Sequence, residues 1–83
     1  MWQVYILKCA DGSLYTGITT DVNRRVKEHN SSGLGAKYTR GRRPVKLISV
    51  RRKKTRSTAA KEEWRIKNMS KKEKISYIST YPQ

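Results

Sequence analysis

Acidic side chains are scarce in this sequence. Asp11, Asp21, Glu28, Glu62, Glu63 and Glu73 are the only six, against 20 lysines and arginines. So few carboxylates argue against a metal site caged by several of them. The formal charge of +14 points to a polyanionic partner, because unpaired cations on one compact body repel one another. Nucleic acid is favoured over an anionic membrane, since no long amphipathic basic helix is evident. Cysteine is nearly absent: Cys9 alone allows neither a disulfide framework nor a cysteine-based zinc site. Long apolar runs are missing too. Val4 to Leu7 is far too short for a signal peptide or a membrane span, so no membrane is expected and a reducing cytoplasm is the expected location. No internal repeat or low-complexity linker breaks the 83 residues, which suit one domain over 1–83 with a thin core.

What is present reads as alternating strands and helices. Trp2 to Cys9 and Ser13 to Thr19 are two strands around the turn signal Asp11-Gly12. Asp21 caps a helix from Val22 to about Ser31. The stretch SSGLGAKYTRGRRP is a glycine-rich loop with room for one short helical turn. Val45 to Arg51 is a third strand, and a helix runs from near Ser57 to about Met69. SKKE at Ser70 to Glu73 fits a capping box that opens a last short helix. The order ββαβαα predicts an α/β (α+β) fold, a small three-stranded antiparallel sheet flanked by helices.

Tyr5 and Tyr15 lie on opposite arms of the hairpin. A two-residue Asp11-Gly12 loop pairs Tyr5 with Ile18 and puts the phenols on opposite faces. A three-residue loop with Gly12 left-handed pairs Leu7 with Tyr15 and sets both phenols on one face. Gly17 then lies across from Tyr5, leaving open backbone beside a phenol, as a ligand needs. Local turn chemistry permits both registers.

On the first helix, Val22, Arg25, Val26 and His29 fall within one ~100° arc. Two roles fit the polar pair there. Arg25 snorkels and His29 is a satisfied core histidine, or Arg25 grips a phosphate while His29 donates a hydrogen bond or handles a proton. On the next long helix, Ala59, Ala60, Glu63 and Ile66 form the smooth apolar arc, with Met69 extending it. Glu63 sits mid-arc, and Glu62 lies nearer the Ile66/Met69 edge and could also face inward. Glu63 either pairs with Lys67 one turn on or is a ligand for hard Mg²⁺, which accepts a single carboxylate and keeps its waters.

Together these pieces resemble the GIY-YIG nuclease domain. The resemblance rests on QVY at Gln3 to Tyr5, YTG at Tyr15 to Gly17, Arg25, His29, and A-x-x-x-E at Ala59 to Glu63 followed by Ile66-Lys67. It covers Gln3 to about Tyr77, and GAKYTRGRRP further resembles the small single-domain bacterial branch. Other members include the N-terminal cleavage domain of a bacterial excision-repair nuclease and phage homing endonucleases. The resemblance implies the same-face register and a catalytic set of Tyr5, Tyr15, Arg25, His29 and Glu63. It implies that Glu63 holds a single Mg²⁺ or Mn²⁺, that Arg25 neutralises charge on the phosphoryl group, and that one of the two tyrosines helps deprotonate water. Gln3 replaces the family's first glycine, and the asparagine some members carry after the glutamate helix has no clear counterpart.

From Lys37 to Arg56, ten of twenty residues are Lys or Arg and none is acidic. The nucleic-acid contacts are assigned to Gly17, Lys37, Tyr38, Arg40, Arg42 and Arg43, with Tyr38 available to stack on a base. No recognition helix or zinc finger accompanies the tract, so structure preference is expected over sequence specificity. The expected activity is metal-dependent endonucleolytic hydrolysis of DNA, in repair or recombination, with a protein partner able to supply specificity. The alternative is a non-catalytic DNA- or RNA-binding module using the same basic surface.

Overall fold

The computed structural model describes residues 1–31 and 34–83. Ser32 and Gly33 of the predicted glycine-rich loop lie outside the described residues. β1 (Trp2–Lys8) and β2 (Leu14–Thr19) form the first hairpin. Its loop is the three-residue kind: the Cys9 amide donates to the Ser13 carbonyl at 2.8 Å. Gly12 stands at φ +86°, a backbone region that favours glycine. The Asp11 carboxylate accepts from the Ser13 amide at 3.0 Å and the Ser13 hydroxyl at 2.6 Å, holding the turn closed. Leu7 therefore faces Tyr15 and Tyr5 faces Gly17, so both phenols lie on one side of the sheet. β3 (Lys46–Lys53) pairs antiparallel with the other edge of β1, giving the order β2-β1-β3. The predicted three-stranded sheet is the one observed.

The helices follow their local signals. Asp21 caps α1 (Val22–Asn30) by accepting from the Arg24 amide. Gln3 adds a tertiary cap, its side-chain oxygen accepting from the Val22 amide at 2.9 Å. The short turn in the basic loop is α2 (Lys37–Arg40). Thr55 opens α3 (Arg56–Lys67) and Ser70 opens α4 (Lys71–Thr80), each with a capping box.

As the central strand, β1 is buried on both faces. Val4 and Ile6 pack with Ala59, Ile66 and Tyr77 under α3 and α4. Tyr5, Leu7 and Cys9 point the other way, with Val22 and Val45. Asn30, at the end of α1, grips Val45 at both its amide (2.7 Å) and its carbonyl (3.1 Å).

One helix phase needs correction. α3 buries Ala59, Glu62 and Ile66, while Ala60 is exposed and Glu63 lies on the flank of the buried stripe. The expected arc through Ala60 and Glu63 is rotated by about one residue. Glu62 can lie inward because three donors satisfy it: Arg51 from β3, Arg65 one turn on, and the Tyr77 hydroxyl from α4 at 2.9 Å. An alanine sits equally well outside, so the two alanines carried little phase information.

Candidate active site

Tyr5 is the hub. It is almost wholly buried and its ring lies across Gly17 of the edge strand. A Cβ at position 17 would stand 2.5 Å from the Tyr5 oxygen and 2.7 Å from Cζ. Any larger residue there would push the phenol out. α1 brings His29 to the same oxygen, with Nε2 at 2.8 Å from Tyr5 Oη. Tyr15 completes the aromatic group, its ring 5.2 Å from that of His29 and 6.4 Å from that of Tyr5.

Arg25 stands one turn before His29 on α1. Its Nη1 donates to Glu28 at 2.8 Å and to the Leu34 carbonyl at 2.7 Å, and the guanidinium lies beside Tyr5, where it favours the phenolate. Burial outweighs it. With the Tyr15 phenol and the Glu63 carboxylate adding to the effect, the Tyr5 hydroxyl is pushed up to about 12. Burial, then the charge of Arg25, lowers His29 to about 4, so the imidazole is neutral at physiological pH. Glu63 belongs to α3, across the β2 edge from α1, yet its charge is felt at Tyr5. It is partly exposed and pairs with Lys67 at 3.2 Å. Of the two roles foreseen for it, the pairing with Lys67 is the one seen here.

The fold brings Tyr5, Tyr15, Gly17, Arg25 and His29 together, with the Glu63 charge acting on Tyr5 from α3, and the basic tract divides. Its α2 part borders the site: the Tyr38 ring stacks on Tyr15 with centroids 5.9 Å apart. Arg42 lies 4.0 Å over the Tyr38 ring and bonds Asp11 of the hairpin turn at 3.0 Å. A base stacking on Tyr38 would have to compete with Arg42. Lys37 and Arg40 are exposed on α2, while the Nε of Arg43 is buried. Arg51 goes elsewhere, to Glu62 on the α3 side of the sheet. Thr39 went unforeseen. It is fully buried and its hydroxyl lies 3.0 Å from His29 Nδ1; a threonine inside KYTR carries no sequence sign of burial.

Among the described residues no three His, Cys, Asp or Glu side chains stand close enough to cage a metal. A divalent ion here would rest on Glu63, a single hard oxygen donor at the rim, with water and substrate oxygens completing its shell. The donor set fits that limited role. Among the described residues no helix is long and apolar enough to cross a membrane.

A family model of the GIY-YIG catalytic domain matches residues 1–76. The chain belongs to the GIY-YIG family. This is a nuclease superfamily whose members generally use divalent metal ions and act on nucleic acid. The GIY-YIG chain is similar to a UPF0213 protein of Desulfotalea psychrophila, 56% identical over 93% of this chain and 70% of that one. It also resembles one of Halobacterium salinarum, 53% identical over 89% and 95%. Among solved structures, the solution structure of a UPF0213 protein from Bacillus halodurans matches with a TM-score of 0.62. It is 47% identical and covers 96% of this chain and 85% of its own. A second, from E. faecalis, matches at 0.63 with 46% identity, over 94% and 82%. The UPF0213 names state no activity.

Proposed function

We propose that this GIY-YIG chain is a divalent-metal-dependent endonuclease that hydrolyses phosphodiester bonds in DNA, preferring structure over sequence. The observation that carries the reading is the gathering around buried Tyr5 of the His29 imidazole and the Tyr15 ring, with the Arg25 guanidinium beside it and the charge of the partly exposed Glu63 reaching it. Phosphodiester hydrolysis needs those groups: a cation for the charge that builds on phosphorus, an anion for the metal, and a group near the attacking water. Mg²⁺ or Mn²⁺, held by Glu63, would supply charge stabilisation at the phosphate oxygens. Arg25 offers its guanidinium to the same phosphoryl group. Water attacks phosphorus, the P–O bond to the leaving sugar oxygen breaks, and the water proton is relayed through a phenol hydroxyl, which takes it up as its own hydrogen passes on to the leaving oxygen. Tyr15 is only half-buried and so open to solvent, whereas the Tyr5 oxygen is buried and held by His29. Tyr15 is therefore assigned the proton and Tyr5 the orientation of the site. Lys37, Arg40 and Arg42 continue the positive surface along the backbone of the DNA.

One observation favours the second reading, a DNA- or RNA-binding module. Arg25 is already engaged by Glu28 and Leu34, which a purely structural arginine would also be. Labelled single-stranded, duplex, flapped and branched DNA, with a single-stranded RNA, incubated with Mg²⁺, Mn²⁺ or EDTA, separates the two. Cutting of DNA that EDTA abolishes is expected. Binding without cleavage of any substrate under any metal would establish the module instead.

A further inference from the structure

We propose that Thr39, with the backbone N–H of Ala36, is a positioning element that keeps His29 in its Nε2–H form. The ring then donates to Tyr5 Oη, and the DNA-facing segment is tied to the phenol. The hydrogen bonds are an independent matter; their catalytic meaning rests on the nuclease reading above.

The argument starts from a donor that has no choice. A backbone amide can only donate, and that of Ala36 points at His29 Nδ1 from 3.3 Å. Nδ1 must then present its lone pair. Thr39 Oγ1 lies 3.0 Å from the same nitrogen and 2.8 Å from the Ala36 carbonyl. The carbonyl can only accept, so Thr39 donates its one hydroxyl hydrogen there and shares it with the Nδ1 lone pair that the Ala36 amide requires. A neutral imidazole with Nδ1 unprotonated carries its hydrogen on Nε2. That nitrogen is 2.8 Å from Tyr5 Oη, so the phenol oxygen accepts from His29 and its own hydrogen is left to point into the site. The opposite tautomer would draw the phenol hydrogen inward to Nε2 and away from substrate.

The residues behind His29 Nδ1 come from the loop and α2, while the strands supply Tyr5 and Tyr15 on its other side. Gly35 packs so closely on α1 that a Cβ there would stand 2.7 Å from His29 Cα. Two successive α2 residues then each reach one tyrosine: Tyr38 stacks on Tyr15, and Thr39 reaches Tyr5 through His29. α2 also displays Lys37 and Arg40 to solvent. The surface assigned to phosphate binding and the clamp on the phenol are therefore one short element.

His29 is the only histidine, so long-range ¹H–¹⁵N correlation of the imidazole reports its tautomer without ambiguity. The parent protein should show Nε2–H, and an Nδ1–H ring would overturn the proposal with no variant needed. Thr39→Val keeps volume and deletes the hydroxyl; it should move the two ring nitrogens toward a mixture of tautomers, and Thr39→Ser should restore the parental pattern. Ring shifts unchanged in a folded Thr39→Val protein would remove Thr39 from the clamp. On a cut DNA, Thr39→Val should slow the single-turnover rate about tenfold, the scale of one hydrogen bond, at unchanged DNA affinity, with Thr39→Ser near parental. An unchanged rate with altered ring shifts would show that the clamp does not position the site. An Nε2–H parent that cuts no DNA would instead refute the nuclease reading and leave the hydrogen-bond assignment standing.

Discussion

Glu62 and Glu63 are neighbours in sequence with opposite duties, and a pair of amide substitutions separates them. The Glu62 side chain is 7% exposed. Hydrogen bonds from Arg65 first, then Tyr77 and Arg51, overcome its burial and hold its carboxyl down at about 2, against an ordinary 4.5. At about 1.4 kcal/mol for each tenfold in the ionisation constant, that difference is worth roughly 3 kcal/mol at neutral pH. Glu62→Gln keeps the size but deletes the charge and turns an N–H₂ toward arginine donors. A loss of about 2–3 kcal/mol is expected, on the order of 10–20 °C in Tm for a domain of this size. Glu63→Gln breaks only a half-exposed pair with Lys67 and should cost under about 1 kcal/mol. The sign with pH follows from the lowered carboxyl. Its stabilisation is complete above 4.5 and is lost as pH falls toward 2. Urea melts of the three proteins followed by circular dichroism should therefore show the Glu62→Gln gap at pH 7 shrinking to less than half by pH 3. A gap that is absent at pH 7, persists unchanged in acid, or appears equally in Glu63→Gln would refute the assignment of Glu62 as the structural carboxylate.

Gly17→Ala places a methyl where the Tyr5 phenol lies, so it should displace the ring from His29 and cut activity at least tenfold; its near-ultraviolet circular dichroism and cleavage rate check this together. His29 is held at about 4 by burial and by Arg25, below its ordinary 6.5. The unfolded chain takes up that proton first, and stability should fall as pH drops from 6.5 to 4, a window above that of Glu62; melts across it should show the slope, and Tyr5→Phe should alter it. Duplex DNA binding should weaken steeply with salt, log affinity falling by about 0.9 per phosphate neutralised for each tenfold in salt. Filter binding between low and physiological salt that gave a slope near one contact would remove the polynucleotide partner.

Much of the fold was legible because its signals are local. Asp21 and Ser70 cap helices through contacts within three residues, and the unbroken apolar run Val4 to Leu7 suits a strand buried on both faces. α3 starts one residue before the expected Ser57, on a Thr55 cap that was not foreseen. The hairpin register was not legible from turn chemistry, since Asp11-Gly12 serves both loop lengths; only the family resemblance chose the one observed. The phase of α3 failed because burial of Glu62 depends on Arg51 and Tyr77, eleven and fifteen positions away in sequence. Thr39 was hidden for a similar reason. The i, i+4 pairing of Arg25 and His29 did mark the right helix face, but what His29 touches comes from β1 and α2.

The central claim is that the groups gathered on Tyr5 hydrolyse a phosphodiester with help from one metal-binding carboxylate. The most direct test is the single-turnover cleavage rate of the best DNA substrate, measured across a Mg²⁺ titration for the parent, Arg25→Ala and Glu63→Gln. All three should remain folded and bind DNA with similar affinity. Arg25→Ala should fall by about 10²–10³-fold, the usual loss for a donor to the transition-state oxyanion, and Glu63→Gln should lose its response to Mg²⁺. Parental rates from both variants would contradict the account.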